Sequence, residues 1–278
     1  MTYNELWHQL TPHYGSDEAK AIARMVYEVR YHLSLSDLIL GKDTQLSADC
    51  QAELGEIAIR LANYEPVQYV LGLADFCGRE FHVEPGILIP RPETEHLCRL
   101  ITKHVANSSP IRTILDIGTG SGCIAITLAL DIPNSQVTAW DISPIALRVA
   151  QHNAQRLGAG VNIVENDMLQ QTYQVAPQWD LIVSNPPYIC DNEAKQMEAN
   201  VLDYEPEIAL FVPDDDPLKF YVPIMNYAQS ALHAGGELWL ETNPLYEELI
   251  EERLLELGFN VKAHDDQFGK TRFIQAIR

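Results

Sequence analysis

The chain has 278 residues, with 19 Lys and Arg against 39 Asp and Glu, giving a formal net charge of −20. Hydrophobic residues make up 46% and charged residues 21%, the balance of an ordinary globular protein, which excludes a disordered or fibrous chain. An acidic surplus of this size repels a phosphate backbone, and no run of Lys or Arg interrupts it, so a nucleic-acid partner is disfavoured.

The first residues, MTYNELWHQL, lack the basic-then-apolar pattern of a signal peptide. No later stretch approaches the ~20 apolar residues that a membrane-spanning helix needs. A cytoplasmic protein with no membrane association is therefore expected. Residues 1–74 read as a small helical domain. Ser16 is placed as an N-cap, with Asp17 and Glu18 in the first turn and Ile22, Met25, Val26 and Val29 at helical spacing. Ser47 opens a second helix carrying Leu54, Ile57, Ala58 and Leu61 on one stripe, with Pro66 ending it.

Residues 75–92 change pattern. Two β-prone runs, FCGREFHV and ILI, flank Glu84-Pro85-Gly86, and predict a β-hairpin linking two domains. After Pro90-Arg91-Pro92 comes an amphipathic helix with Leu97, Leu100, Ile101 and Val105 on one side. From there to residue 278, strand-like runs alternate with helical ones: RTILD, QVTAW, VNIVE, DLIVS, GELWLE, NVKAH and RFIQAI. Helices are expected at Cys123–Leu130, Pro144–Leu157, Leu218–His233 and Pro244–Leu257. Seven strands in this alternation predict an α/β domain over 93–278 with a mostly parallel sheet. The short QFGK connection makes the last two strands an antiparallel hairpin at the sheet edge.

Two motifs carry chemistry. In Ile114-Leu115-Asp116-Ile117-Gly118-Thr119-Gly120-Ser121-Gly122 a strand runs into a glycine-rich turn that opens a helix. Such glycines admit φ > 0 and a close ligand, but their every-second-residue spacing is not the Gly-x-Gly-x-x-Gly of dinucleotide enzymes. Asp141 lies at the end of the next strand, 25 positions after Asp116, where a carboxylate can accept both ribose hydroxyl protons. A nucleoside-type ligand follows.

The second motif is Asn185-Pro186-Pro187-Tyr188, at the C-terminal end of the strand DLIVS. An amide or exocyclic amino nitrogen is a poor nucleophile because its lone pair is delocalised. Methyl transfer from a sulfonium needs that lone pair aimed along the S–CH3 axis, and acceptors on both N–H bonds can aim it. The Asn185 side-chain oxygen and the Pro186 carbonyl are the candidate acceptors, Pro187 helps fix the backbone, and Tyr188 can stack on the planar group.

Gly118–Gly122 as GTGSG, Asp141, and Asn185–Tyr188 as NPPY together resemble the class I, Rossmann-like methyltransferases that modify planar nitrogens. Within that group, EPVQYVLG at 65–72, IPRPETE at 89–95 and Tyr204-Glu205-Pro206 with Ala209-Leu210 resemble the release factor glutamine methyltransferases, the PrmC/HemK family. The resemblance runs along nearly the whole chain, and IPRPETE is its most specific part. It implies S-adenosylmethionine, leaving as S-adenosylhomocysteine, on Gly118, Thr119, Gly120, Ser121, Gly122 and Asp141, with Met168 near the adenine and Asn185 beside the cofactor. It implies the glutamine of a release factor's Gly-Gly-Gln motif on Asn185, Pro186, Pro187 and Tyr188, with Asn185 and Pro186 catalytic. By the same resemblance the N-terminal domain and hairpin help hold the release factor. Two departures stand out: many relatives carry Trp where Met168 stands, and Glu241-Thr242-Asn243-Pro244 replaces an expected Glu-Ile-Gly form.

The same motifs suit an adenine amino-methyltransferase on DNA or RNA, which would need base extrusion and a basic surface that the charge argues against. A non-catalytic module is opposed by the intact Gly118, Gly120, Asp141 and Asn185. Arg91 and Glu93 are candidates either for contact with the incoming loop or for an ion pair pinning the linker. The nine histidines have no ligand spacing, Asp214-Asp215-Asp216 reads as a solvated loop leading into a helix, and no metal is expected. The five cysteines form no Cys-x-x-Cys pair and read as reduced, mostly buried thiols. A monomer is expected.

Overall fold

A computed structural model of the chain describes residues 1–107, 113–173 and 175–278. The fold divides into two compact units, residues 1–73 with 198–204, and residues 74–197 with 205–278.

The first unit opens with α1 (Tyr3–Tyr14), whose start is fixed by a capping box in which Thr2 and Glu5 satisfy each other's backbone N–H. α2 (Ser16–Tyr31) follows after one residue. Gly15, at φ 75°, holds the N-cap position and joins the two helices, so Ser16 is the first helical residue and not the cap the sequence pattern suggested. Ala19, Ile22, Ala23, Val26 and Tyr27 form the buried face of α2, while Met25 and Val29 lie at its margin. α3 (Leu35–Ile39) is capped by Ser34, and α4 (Ala48–Ala62) by Ser47, whose hydroxyl accepts from the Cys50 N–H as expected.

Leu54, Ile57, Ala58 and Leu61 of α4 are buried in one cluster with Leu6, Leu10 and the α2 face. Each large side chain fully removed from water there contributes about 1.5–3 kcal/mol. α4 ends at Asn63, ahead of Pro66, which instead opens α5 (Val67–Leu71). The break comes from the residue after the cap: Tyr64 at φ 64° turns the chain out of the helix.

The second unit begins within a two-stranded hairpin, at the second residue of β1 (Leu73–Phe76), which pairs with β2 (Arg79–His82). Its turn is Cys77-Gly78, both at positive φ (50° and 73°), the geometry whose twist matches paired strands. The expected turn at Glu84-Pro85-Gly86 does form, with Ile87 N donating to Glu84 O and Gly86 at φ 95°. No second strand follows it, which corrects the sequence expectation for 87–89. Ile87 and Ile89 are buried, and the Ile89 N–H donates to the Glu205 carboxylate (3.0 Å) instead of to a sheet.

The remaining elements are α6 (Pro92–Val105), β3 (Thr113–Ile117), α7 (Cys123–Asp131), β4 (Gln136–Asp141), α8 (Pro144–Leu157), β5 (Val161–Glu165), β6 (Trp179–Ser184), β7 (Ile189–Cys190), α9 (Ala199–Tyr204), α10 (Glu207–Leu210), β8 (Phe211–Val212), α11 (Tyr221–Ala231), β9 (Leu232–Glu241), α12 (Glu247–Glu256), β10 (Asn260–Asp265) and β11 (Thr271–Ile277). α9 belongs to the first unit, where the Tyr204 hydroxyl donates to the Asn63 carbonyl (2.7 Å). The strand expected from Arg112 begins, within the described residues, at Thr113.

The seven-stranded sheet has the order β10-β11-β9-β6-β3-β4-β5. β9, β6, β3, β4 and β5 are mutually parallel, and β11 runs antiparallel between β9 and β10. This is the expected α/β class with a mostly parallel sheet. Alternate residues of each strand enter opposite cores. Ile114, Val137, Leu181 and Val183 join Leu97, Ile101 and Ile124 on one face. Leu115, Ile117, Ile182 and Leu240 join Ile224, Ala228 and Ile250 on the other. Burial on both faces explains why the central strands are near-continuous apolar runs. All five cysteines are free thiols; Cys98, Cys123 and Cys190 are buried, Cys50 and Cys77 partly so. Among the described residues no helix is long and apolar enough to cross a membrane.

Candidate active site

Chain order reverses between β3 and β6: β4 lies on the far side of β3, and β9 on the far side of β6. Open α/β sheets bind ligands at the carboxyl ends of strands flanking such a reversal. The two sequence motifs stand at that point. GTGSG follows β3 and NPPY follows β6, with Ile117 paired to Ser184 in the parallel ladder. The Ser184 hydroxyl donates to the Ile117 carbonyl (2.7 Å), a buried link between the residues that immediately precede the two motifs.

The turn after β3 is held from below. Gly118 and Thr119 N–H groups both donate to the Trp140 carbonyl of β4, and Gly122 N–H donates to Thr119 O, each at 2.9 Å. The Thr119 hydroxyl donates to Asp116 Oδ2 (2.6 Å), which also accepts from the Ala125 N–H (3.2 Å). Asp116 is fully buried, and its Oδ1 has no partner among the described residues. Burial, with Asp141 nearby, pushes its carboxyl up to about 7 against the lowering effect of those two hydrogen bonds.

The three glycines divide by environment. A side-chain carbon at Gly118 or Gly120 would meet nothing within 4 Å, whereas one at Gly122 would lie 2.8 Å from Ile126 Cδ1 and 3.2 Å from Ala150 Cβ. Gly118 and Gly120 thus face open space, and Gly122 is a packing position between α7 and α8. Thr119 and Ser121 are buried. The Thr119 hydroxyl and the Ser121 carbonyl, which accepts from Asn153 Nδ2 (2.9 Å), brace the loop, whereas the Ser121 hydroxyl has no partner among the described residues.

Asp141, at the end of β4, accepts from Gly120 N–H through Oδ2 and from Ser143 N–H through Oδ1, both at 2.9 Å. Each oxygen keeps a further lone pair. Burial raises its carboxyl, opposed by these N–H donors. Met168 follows Asp167, which caps a short 3₁₀ turn by accepting from Leu169 N–H (2.9 Å). At 7% exposure Met168 belongs to the apolar cluster that holds Ile117 and Trp140, so little of it is open to a ligand. Two open glycines and a carboxylate at the adjacent strand end fit a ligand that carries ribose hydroxyls.

On the other side of the reversal, residues 185–188 belong to no helix or strand and lead from β6 to β7, which pairs with β8. Asn185 Nδ2 donates to Thr94 Oγ1 (3.1 Å). Nothing among the described residues donates to Asn185 Oδ1 or to the Pro186 carbonyl. Tyr188 is half-buried; its hydroxyl donates to Glu241 Oε1 (3.2 Å), and burial with that carboxylate nearby raises its pKa. The Tyr188 carbonyl accepts from Asn243 Nδ2 (3.1 Å), which also reaches Glu193. The departure at 241–244 therefore puts a side chain that glycine lacks onto the backbone of NPPY.

Several supporting residues are not identified by sequence reasoning alone. Thr94, inside IPRPETE, and Glu241, at the end of β9, sit behind Asn185 and Tyr188. Glu205 is almost wholly buried, accepts from Ile89 N–H and pairs with Arg91, so the Arg91 ion pair anticipated for the linker exists and its partner is the residue between Tyr204 and Pro206. Their signal in the sequence is that each lies in a segment compared with the family, IPRPETE, Tyr204-Glu205-Pro206 and Glu241-Thr242-Asn243-Pro244, without any indication of which residue does what. Asp214, Asp215 and Asp216 lie exposed in the turn ahead of α11, and among the described residues no group of three or more His, Cys, Asp or Glu side chains is placed to hold a metal.

Comparison with known proteins places this arrangement in a family. Residues 4–72 match the family described as PrmC N-terminal domain, and residues 91–203 match the Methyltransferase small domain. A release factor glutamine methyltransferase of Bacteroides thetaiotaomicron is 45% identical over 95% of this chain and 95% of its own length. One from Flavobacterium psychrophilum is 38% identical over 94% and 93%. Among solved structures, a methyltransferase from Pyrococcus furiosus aligns with TM-score 0.51 and 21% identity over 83% of this chain and 98% of its own. A 16S rRNA N2 G1207 methyltransferase of T. thermophilus aligns with TM-score 0.52 and 18% identity over 74% and 49%. These two likenesses show the fold alone. The chain belongs to the release factor glutamine methyltransferase family.

Proposed function

We propose that this member of the family transfers the methyl group of S-adenosylmethionine to the side-chain amide nitrogen of the glutamine in the Gly-Gly-Gln motif of peptide-chain release factors, modulating translation termination. The observation that carries the reading is the placing of GTGSG and NPPY on the two strand ends that flank the sheet's reversal, in a chain that two release factor glutamine methyltransferases match over 94–95% of its length.

When bound, S-adenosylmethionine supplies an electrophilic methyl group on a sulfonium. Gly118 and Gly120 would leave it room along a turn whose shape Thr119, Ser121 and Gly122 hold, and Asp141 would accept its ribose hydroxyls through the remaining carboxylate lone pairs. Met168, mostly committed to its apolar cluster, would give the adenine only a small thioether edge in place of an aromatic face. The Asn185 side-chain oxygen and the Pro186 carbonyl would each accept one N–H of the glutamine amide, aiming its lone pair at the methyl carbon. Pro187 restricts the backbone there, and Tyr188 would line the slot for the planar amide. The amide nitrogen becomes acidic as the N–C bond forms, so its proton can pass to water without a dedicated base.

The −20 charge supports a protein acceptor over a nucleic acid. The reading takes residues 1–74 as the part that holds the release factor, 75–92 as the linker and 93–278 as the methyltransferase domain, acting as a monomer in the cytoplasm. Incubation with methyl-labelled cofactor and release factor should label the protein acceptor, and the label should vanish when the Gly-Gly-Gln glutamine is replaced. Label that persists there, or that moves to RNA or DNA, refutes the assignment.

A further inference from the structure

We infer that Thr94 and Glu241 form a proton-ordered relay that fixes which way the Asn185 amide points, acting as positioning residues for methyl transfer. The inference rests on the reading of Asn185 as an acceptor for the substrate amide.

Three elements far apart in the chain bring the groups together: α6 supplies Thr94, the end of β6 supplies Asn185, and the end of β9 supplies Glu241. Thr94 Oγ1 lies 2.8 Å from Glu241 Oε2 and 3.1 Å from Asn185 Nδ2. Thr94 is 3% exposed and Glu241 1%, so water does not compete for either bond. A hydroxyl has one proton, and an ionised carboxylate can only accept. The Thr94 proton therefore goes to Glu241, and the Thr94 oxygen can face only a donor. That donor is the Asn185 NH2, which leaves Asn185 Oδ1 turned towards the substrate. An amide flipped by 180° would set oxygen against oxygen at Thr94 and offer NH2 to a substrate N–H. Asparagine alone has no such preference.

The same carboxylate holds the other end of NPPY. Glu241 Oε1 accepts from the Tyr188 hydroxyl, and the Glu241 backbone carbonyl accepts from the Tyr221 hydroxyl of α11 (3.0 Å). Of the charged groups facing Glu241, Arg272 of β11 favours its ionised form and Glu93 of α6 opposes it; burial, the largest influence, raises its carboxyl to about 7. Once protonated, Glu241 can donate to Thr94 and so release the Thr94 proton towards Asn185. The relay then reverses polarity, and the acceptor facing the substrate is lost.

The test measures methylation of a release factor as a function of pH, with cofactor affinity followed by calorimetry and folding by thermal melting. Wild type should show kcat falling as pH drops through about 7. Thr94→Val should lower kcat about 10- to 100-fold, with cofactor affinity unchanged and the acid limb gone, and Thr94→Ser should restore kcat to within about threefold. Glu241→Gln, which carries a donor and an acceptor at every pH, should be slow and flat with pH, and it tests the relay independently should Thr94→Val fail to fold. Wild-type kcat in Thr94→Val, or an acid limb persisting in Glu241→Gln, overturns the relay. Asn185→Ala separates the two claims: full activity in that variant overturns the reading of Asn185 itself, whereas an inactive Asn185→Ala beside a normal Thr94→Val overturns only the relay.

Discussion

Gly120 and Gly122 look equivalent in GTGSG, yet replacing each by alanine should fail in a different way. Both adopt positive φ (56° and 83°), so an L side chain at either costs about 1–2 kcal/mol. At Gly120 nothing lies within 4 Å of the added carbon, and the conformational cost is the whole effect on stability. At Gly122 the carbon would stand 2.8 Å from Ile126 Cδ1, 3.2 Å from Ala150 Cβ and 3.3 Å from Ala150 Cα. The backbone atom cannot swing aside, so overpacking adds about 1–3 kcal/mol. Urea unfolding should therefore place Gly122→Ala below Gly120→Ala by about that added amount. Binding should order the pair the other way. The methyl group of Gly120→Ala occupies space open to a ligand, and calorimetry should find S-adenosylmethionine bound at least about tenfold more weakly, while folded Gly122→Ala binds nearly as wild type. Equal losses of stability, or undiminished affinity in Gly120→Ala, would refute the division of the loop into a ligand-facing and a packing glycine.

Further outcomes follow from individual contacts. Ser47→Ala should cost about 1 kcal/mol in chemical denaturation through loss of the cap on α4, whereas Ser16→Ala should be near neutral because Ser16 caps nothing; equal costs would contradict the helix starts described above. Asp116 has a folded pKa raised from 3.8 to about 7, so the fold binds the extra proton and its contribution falls as pH rises between those values. Asp116→Asn should accordingly melt higher relative to wild type at pH 8 than at pH 5, and a gap that is constant with pH would discount the buried charge. Arg91→Ala leaves the Glu205 carboxylate buried with only the Ile89 N–H; the loss should be about 2–3 kcal/mol, less than for a fully buried pair because the Arg91 side chain is 31% exposed. A loss under about 0.5 kcal/mol would make that pair ornamental.

The sheet was legible in the sequence because its central strands are buried on both faces and read as apolar runs of the right length. The helices between them followed from capping and period, α8 to the residue at both ends. What misled were short-range signals with two uses. Glu84-Pro85-Gly86 is a genuine turn, but Cys77-Gly78 makes the hairpin, and nothing local says that cysteine will take φ 50° there. Ser16 has the chemistry of a cap, and the glycine before it takes the position. The motifs GTGSG, Asp141 and NPPY were visible because backbone approach and amide recognition constrain residue type within a few positions. Thr94 and Glu241 were not, since their partners lie 91 and 147 residues away in the chain and only the fold sets a hydroxyl between an amide and a carboxylate.

The buried bond from Ser184 to the Ile117 carbonyl carries a consequence for how such a protein can change. It latches the strand end before the glycine turn to the strand end before NPPY, so the gap across which a methyl group would travel is set by the sheet and not by either loop. Downstream of that latch, residues 186–188 and the short strands β7 and β8 after them carry the acceptor side, so changes of acceptor are expected to fall there. A change at Ser184 itself should be felt equally by every acceptor, because it shifts the ruler and not the thing measured.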